Sequence, residues 1–140
     1  MMKKLTVLTV ALLMFGMASS FCQESDKLEG VWKIIYQKME NPDTIIERSQ
    51  FVNSSYKIFT KKHFSLSRQG EDNEFFGHFG KYSYDGETYT EHIEFSSYES
   101  VVGQSLKFKS KILGDKWTID GVFEIEGEEM KLKETWQRVE

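Results

Sequence analysis

Residues 76–96 read FGHFGKYSYDGETYTEHIEFS. Aromatic and β-branched side chains return at alternate positions on both sides of Asp85-Gly86, a dipeptide whose tolerance of positive φ makes it a strong hairpin signal. With that pair as a two-residue loop, Tyr84 faces Glu87, Tyr82 faces Tyr89, Gly80 faces Glu91 and His78 faces Ile93. The register gives one aromatic face that carries Glu91. It also pairs His92 with Phe79, which turns His78 and His92 to opposite faces.

The same logic extends outward. Gly114-Asp115 closes a second hairpin that sets Ile112 against Trp117, Ser110 against Ile119, Phe108 against Gly121 and Leu106 against Phe123. On its other face Lys109 meets Asp120 beside Lys107 and Lys111, the pattern of a solvated exterior. A tight turn at Lys61-Lys62 joins Phe59 to Phe64 and Lys57 to Leu66, and brings Arg68 to that face. Comparable runs predict strands near Leu28–Met39, Ser55–Thr60, Lys62–Gln69, Phe76–Tyr84, Glu87–Ser96, Gln104–Leu113, Lys116–Glu124 and Met130–Val139. Pro42 is the only proline, and no long helical periodicity interrupts the series. Strands joined mostly by tight turns predict an all-β fold: a single antiparallel up-and-down β-barrel of about eight strands over 28–140. Glu40–Asn53 is the least regular stretch and fits either a short strand at Thr44–Arg48 or a lid over the barrel mouth.

Ahead of this domain, Lys3 and Lys4, the apolar Leu5–Met17 and the small residues Ala18-Ser19-Ser20 compose a signal peptide over 1–20, with 21–27 a flexible lead-in. The apolar run is too short to span a bilayer. Bulky Phe21 precedes Cys22 where a lipidated cysteine follows small residues, so the expected product is exported, periplasmic or secreted, with a lipid anchor on Cys22 the less favoured alternative. Cleavage removes two of the 18 basic side chains and none of the 22 acidic ones, moving the net charge from −4 to −6. That balance argues against nucleic acid and anionic membrane as partners. A single cysteine permits no internal disulfide, so one hydrophobic core must supply the stability.

Gly30-Val31-Trp32 opens the first strand and Arg138 stands in the last. With the strand count and the export signal, these residues resemble the lipocalin family, and most closely its short secreted bacterial members of unknown function. The resemblance implies that Trp32 closes one end of the barrel while Arg138 packs across the indole, a contact favoured between guanidinium and aromatic ring. It implies a fold and no activity. The Thr-Asp-Tyr motif that lipocalins carry between their sixth and seventh strands is missing, with Leu113-Gly114-Asp115-Lys116 in its place. The C-terminal helix of larger lipocalins has no counterpart between the last strand and Glu140.

Alternation along barrel strands predicts the interior: Tyr82, Tyr89, Glu91, Ile93, Leu106, Phe108, Ser110, Ile112, Trp117, Ile119, Leu132, Glu134 and Trp136. Glu91 and Glu134 are the most informative, because an unpaired buried carboxylate costs several kcal/mol. Arg138 lies roughly 13 Å from Glu134 along one strand, so the partner must come from another; Lys57 and Arg68 are the candidates. The expected ligand-binding set is Lys57, Arg68, Tyr82, Tyr89, Glu91, Phe108, Trp117 and Glu134, with Gly30, Trp32 and Arg138 structural. The same acids also fit an internal ion-pair network, and the tyrosines also fit simple packing.

His63, His78 and His92 share no site in this register, no cofactor motif occurs, and the acidic turn at Glu124–Glu129 lacks EF-hand spacing. The leading expectation is a protein that binds a small hydrophobic or amphipathic molecule in its barrel. The competing ones are a decarboxylase or isomerase using Tyr and Glu as acid–base groups, and an envelope interaction or inhibitor module with a packed barrel.

Overall fold

A computed structural model describes residues 24–140; the signal segment and Cys22 lie outside the described residues. Among these are nine strands: β1 (Gly30–Glu40), β2 (Ile45–Arg48), β3 (Tyr56–Phe59), β4 (His63–Gln69), β5 (Phe75–Tyr84), β6 (Thr88–Ser96), β7 (Ser105–Leu113), β8 (Lys116–Ile125) and β9 (Glu128–Arg138). From β3 to β9 each strand pairs antiparallel with the next in chain order. β1 pairs with β3 on one side and β9 on the other, which closes an eight-stranded barrel. β2 is an extra strand along the far half of β1, from Gln37↔Arg48 to Glu40↔Ile45. The irregular 40–53 stretch therefore contains the short strand.

The chain enters the barrel differently from expectation. Lys27 and Leu28 donate their amides to the Glu24 and Ser25 carbonyls in a helical turn, and the first strand begins at Gly30 instead of Leu28. Leu28 is fully buried, and its carbonyl accepts the Trp32 indole N–H at 2.8 Å.

The central hairpin keeps its predicted faces on a shifted register. Tyr84 pairs with Tyr89, Tyr82 with Glu91 and Gly80 with Ile93, two residues from the pairing that an Asp85-Gly86 loop would give. The loop is instead Gly86-Glu87, with Gly86 at φ 97° as the first position of a II′ turn requires. Asp85 sits at its base and accepts the amides of Glu87 and Thr88 at 2.9 and 2.7 Å. Its side chain thus substitutes for a backbone turn bond. A slip of two residues leaves every side chain on its predicted face. Farther along, Phe79 pairs with Phe95 and Gly80 with Ile93, leaving Glu94 as a bulge, so His78 meets Ser96 instead of Ile93. A Cβ on Gly80 would lie 1.9 Å from the His92 carbonyl oxygen, so only glycine fits there.

A second bulge reverses the parity of β1. Ile34 pairs with Trp136 and Tyr36 with Thr135, which leaves Ile35 unmatched. Trp32 and Ile34 are buried before this point and Gln37 after it. Tyr36 turns outward and donates to Glu47 at 2.9 Å. The β3–β4 and β7–β8 pairings, Phe59↔Phe64, Lys57↔Leu66, Ile112↔Trp117 and Ser110↔Ile119, agree with the sequence registers.

Rings fill the half of the barrel nearest Trp32. Trp32 and Trp117 meet edge to face at 5.8 Å, Tyr89 and Trp117 at 5.0 Å, and Phe59 and Tyr82 at 4.9 Å. At about 25 cal/mol per Å², each buried ring contributes about 4–6 kcal/mol of gross stabilisation. The Arg138 guanidinium carbon lies 4.2 Å from the Trp32 ring centre, and its N–H groups donate to the Glu29 and Lys27 carbonyls. This is the end closure that the lipocalin resemblance implied. Among the described residues no helix is long and apolar enough to cross a membrane.

Candidate functional site

The opposite half of the barrel encloses a cavity of about 510 Å³, within the size range of small-molecule pockets. Leu66, Phe76, Phe108, Phe123 and Leu132 form much of its wall. Residues near the β4–β5 and β8–β9 turns, including Asp72, Glu74 and Glu126, stand at its mouth with Tyr98.

Two ion pairs lie between the packed rings and the cavity. The Lys57 ammonium bonds Glu91 Oε1, and both residues are 3 % exposed. The same carboxylate oxygen accepts the Tyr89 hydroxyl at 2.9 Å. Lys57 Nζ also lies 5.2, 5.3 and 5.4 Å from the ring centres of Tyr89, Trp117 and Trp136, within cation–π range. In the second pair, Arg68 Nη2 donates to Glu134 Oε1 at 2.8 Å and Arg68 Nε donates to Ser55 Oγ at 3.1 Å. Gln37 also donates to Glu134 Oε1, at 2.8 Å, and the Trp136 indole donates to Oε2 at 3.1 Å. Both Glu134 oxygens are therefore satisfied.

The electrostatics follow from this bonding. Burial pushes the Glu134 carboxyl up, but the charges of Arg68 and Lys57 and the hydrogen bonds from Arg68 and Gln37 outweigh it and hold the group below its ordinary range. Tyr89 is pushed well above the usual phenol value, first by burial and then by the Glu91 charge. His78 lines the cavity edge-on to Phe76 at 4.6 Å, and Phe76 in turn packs against Tyr98 at 4.5 Å. Its buried Nδ1 has no hydrogen-bond partner among the described residues. Burial lowers the His78 pKa to about 4, so the ring is neutral at physiological pH. His92 is on the outer face, where it bonds Ser105 Oγ at 2.7 Å. Among the described residues no group of three or more His, Cys, Asp or Glu could hold a metal.

Of the expected ligand-binding residues, Lys57, Arg68, Glu91, Phe108 and Glu134 line the cavity. Tyr82, Tyr89 and Trp117 do not; they lie in the packed half. Tyr82 donates to the Thr60 carbonyl at 2.7 Å, and the Trp117 indole donates to Ser110 Oγ at 2.8 Å. Alternation separates inside from outside but says nothing of height along the barrel axis, so it does not distinguish these three from the cavity-lining residues. Gln37 and Ser55 join the site without having been anticipated. For Gln37 the available signal was Ile34-Ile35, adjacent apolar residues that break strict alternation where the bulge occurs.

No curated protein matches the chain. Among solved structures it is similar to a lipocalin-like protein from Bacteroides uniformis ATCC 8492, with 20 % identity and a TM-score of 0.49 over 79 % of this chain and 97 % of that one. It is also similar to a protein from Bacteroides eggerthii DSM 20697 described as uncharacterized, with 19 % identity and a TM-score of 0.46 over 79 % and 98 % of the two chains. The family model described as "Domain of unknown function (DUF4488)" matches residues 27–140, the barrel and the turn that leads into it, and the chain belongs to that family.

Proposed function

We propose that this is an exported binding protein, periplasmic or secreted, that holds a small and largely apolar molecule in the open half of its barrel. The observation that carries this reading is the cavity of about 510 Å³ with largely apolar walls beside two buried ion pairs. Protein interiors are close-packed and leave few voids larger than a water molecule, so a space of this size is not a by-product of packing. Lys57, Arg68, Glu91 and Glu134 would orient the polar end of the ligand. The signal-like pattern of residues 1–20 supports export. The acid–base alternative loses the arrangement that motivated it, because Tyr89 and Glu91 bond each other and Tyr82 is committed to a backbone carbonyl.

Native mass spectrometry of protein recovered from its host's envelope fraction tests the proposal. The expected result is a soluble envelope protein that retains one small apolar molecule per chain and loses it on denaturation. Recovery in the cytoplasm contradicts export, and an empty barrel that takes up no apolar probe contradicts ligand binding. Exposed apolar residues in the 40–53 and 97–102 stretches, Ile45, Val52, Tyr98 and Val102, favour a second reading as an envelope interaction module. Capture of an envelope partner that is lost on Val52→Ser and Tyr98→Ser, with ligand uptake unchanged, would select it.

A further inference from the structure

We infer that the head group held in this cavity is an uncharged hydrogen-bond acceptor, such as an alcohol, ketone or ester oxygen on an apolar body, and not a carboxylate, phosphate or ammonium. This rests on the cavity-binding reading above. Each interior cation already has its own carboxylate, Lys57 with Glu91 and Arg68 with Glu134. Those carboxylates are further occupied by Tyr89, Gln37 and Trp136. His78 adds no charge at neutral pH. A charged head would therefore enter a low-dielectric space without a free counterion and lose its hydration uncompensated.

The mouth adds to the discrimination. Asp72, Glu74 and Glu126 face a single cation, Arg48, among the cavity-lining residues outside the two pairs, so an approaching anion meets excess negative charge. Besides His78 Nδ1, the interior leaves open a donor. Arg68 spends Nε on Ser55 and Nη2 on Glu134, is 22 % exposed, and has no acceptor for Nη1 among the described residues. A neutral oxygen at Nη1 gives the guanidinium a further acceptor. A carboxylate there would share the same guanidinium with Glu134 and repel it.

Dodecanol, dodecanoate and dodecylammonium have one chain and three head groups, so titrating the full mature protein with each by calorimetry near neutral pH isolates head-group chemistry. Dodecanol is expected to bind at least about tenfold more tightly than either charged analogue. Arg68→Met should weaken dodecanol about tenfold. Glu134→Gln, which frees the Arg68 charge while keeping an amide acceptor, should reverse the preference so that dodecanoate binds more tightly than dodecanol. A charged analogue that binds the wild type as tightly as dodecanol overturns the inference and leaves the cavity reading standing. Failure of all three to bind overturns both.

Discussion

The two halves of the barrel share strands and alternation but differ in what the inward positions carry. Along β9 the inward residues run Trp136, Glu134, Leu132; along β6 they run Tyr89, Glu91, Ile93; across β3 and β4 they run from Phe59 and Phe64 through Lys57 and Leu66 to Arg68. Large rings at one end give way to ion pairs and then to smaller apolar side chains. The rings meet and exclude space near Trp32, whereas the open half keeps its cavity. The ion pairs mark the boundary and are bonded to the packed side, Glu91 to Tyr89 and Glu134 to Trp136. The same barrel thus holds packed rings at one end and a cavity at the other.

Truncation should break this symmetry most strongly. Trp136→Ala, in the fully packed half, is expected to cost about 4 kcal/mol in urea unfolding, whereas Leu132→Ala, on a wall that already faces empty space, should cost about 1 kcal/mol. Equal losses would mean that the two halves are packed alike. At the boundary, Lys57→Met strands the buried Glu91 charge and should cost about 3 kcal/mol; adding Glu91→Leu should recover most of it, because the remaining pair is apolar. A double variant no more stable than the single one would show that the pair itself stabilises the fold.

The pH response should divide between the halves as well. His78 has a folded pKa of about 4 against an ordinary 6.5, so between those values the unfolded chain binds the extra proton. Stability then falls as pH drops through that window, by roughly 2 kcal/mol once partial solvent screening is allowed for. Glu134, held below its ordinary 4.5, extends the loss to lower pH. His78→Phe should flatten the upper part of this acid branch and leave the lower part. On the alkaline side, Tyr82 in the packed half is pushed up to about 12 from 10, chiefly by burial, so the unfolded chain ionises first and stability falls above pH 10. Tyr82→Phe should reduce that smaller decline, roughly 1 kcal/mol after screening. Thermal melts across pH for both variants check the division, and a single group governing both branches would refute it.

Much of this arrangement is legible in the residues. The Gly114-Asp115 and Lys61-Lys62 turns set registers that the fold reproduces, and the turn at Asp85 gave the right faces despite a loop displaced by one residue and a pairing displaced by two. Glu134 had to find a cation on another strand because Arg138 lay too far along its own, and Arg68 is that cation. The bulge at Ile35 was not legible as a register, since adding one residue to one strand leaves composition unchanged while reversing every later side chain on β1. Gln37 entered the site through that reversal. Depth along the barrel also escaped alternation, which grouped Tyr82, Tyr89 and Trp117 with residues that line the cavity, whereas they lie among the packed rings.

The central claim, that the open half is a container, is tested most directly by filling it. Leu132→Trp projects an indole into the cavity from a half-buried wall position and leaves all four ion-pair residues unsubstituted. The uncharged fluorophore N-phenylnaphthylamine should bind the wild-type protein saturably at one site per chain and lose that binding in Leu132→Trp, while the melting temperature stays the same or rises. Probe binding that survives the substitution, or is absent from the wild type, would contradict the account.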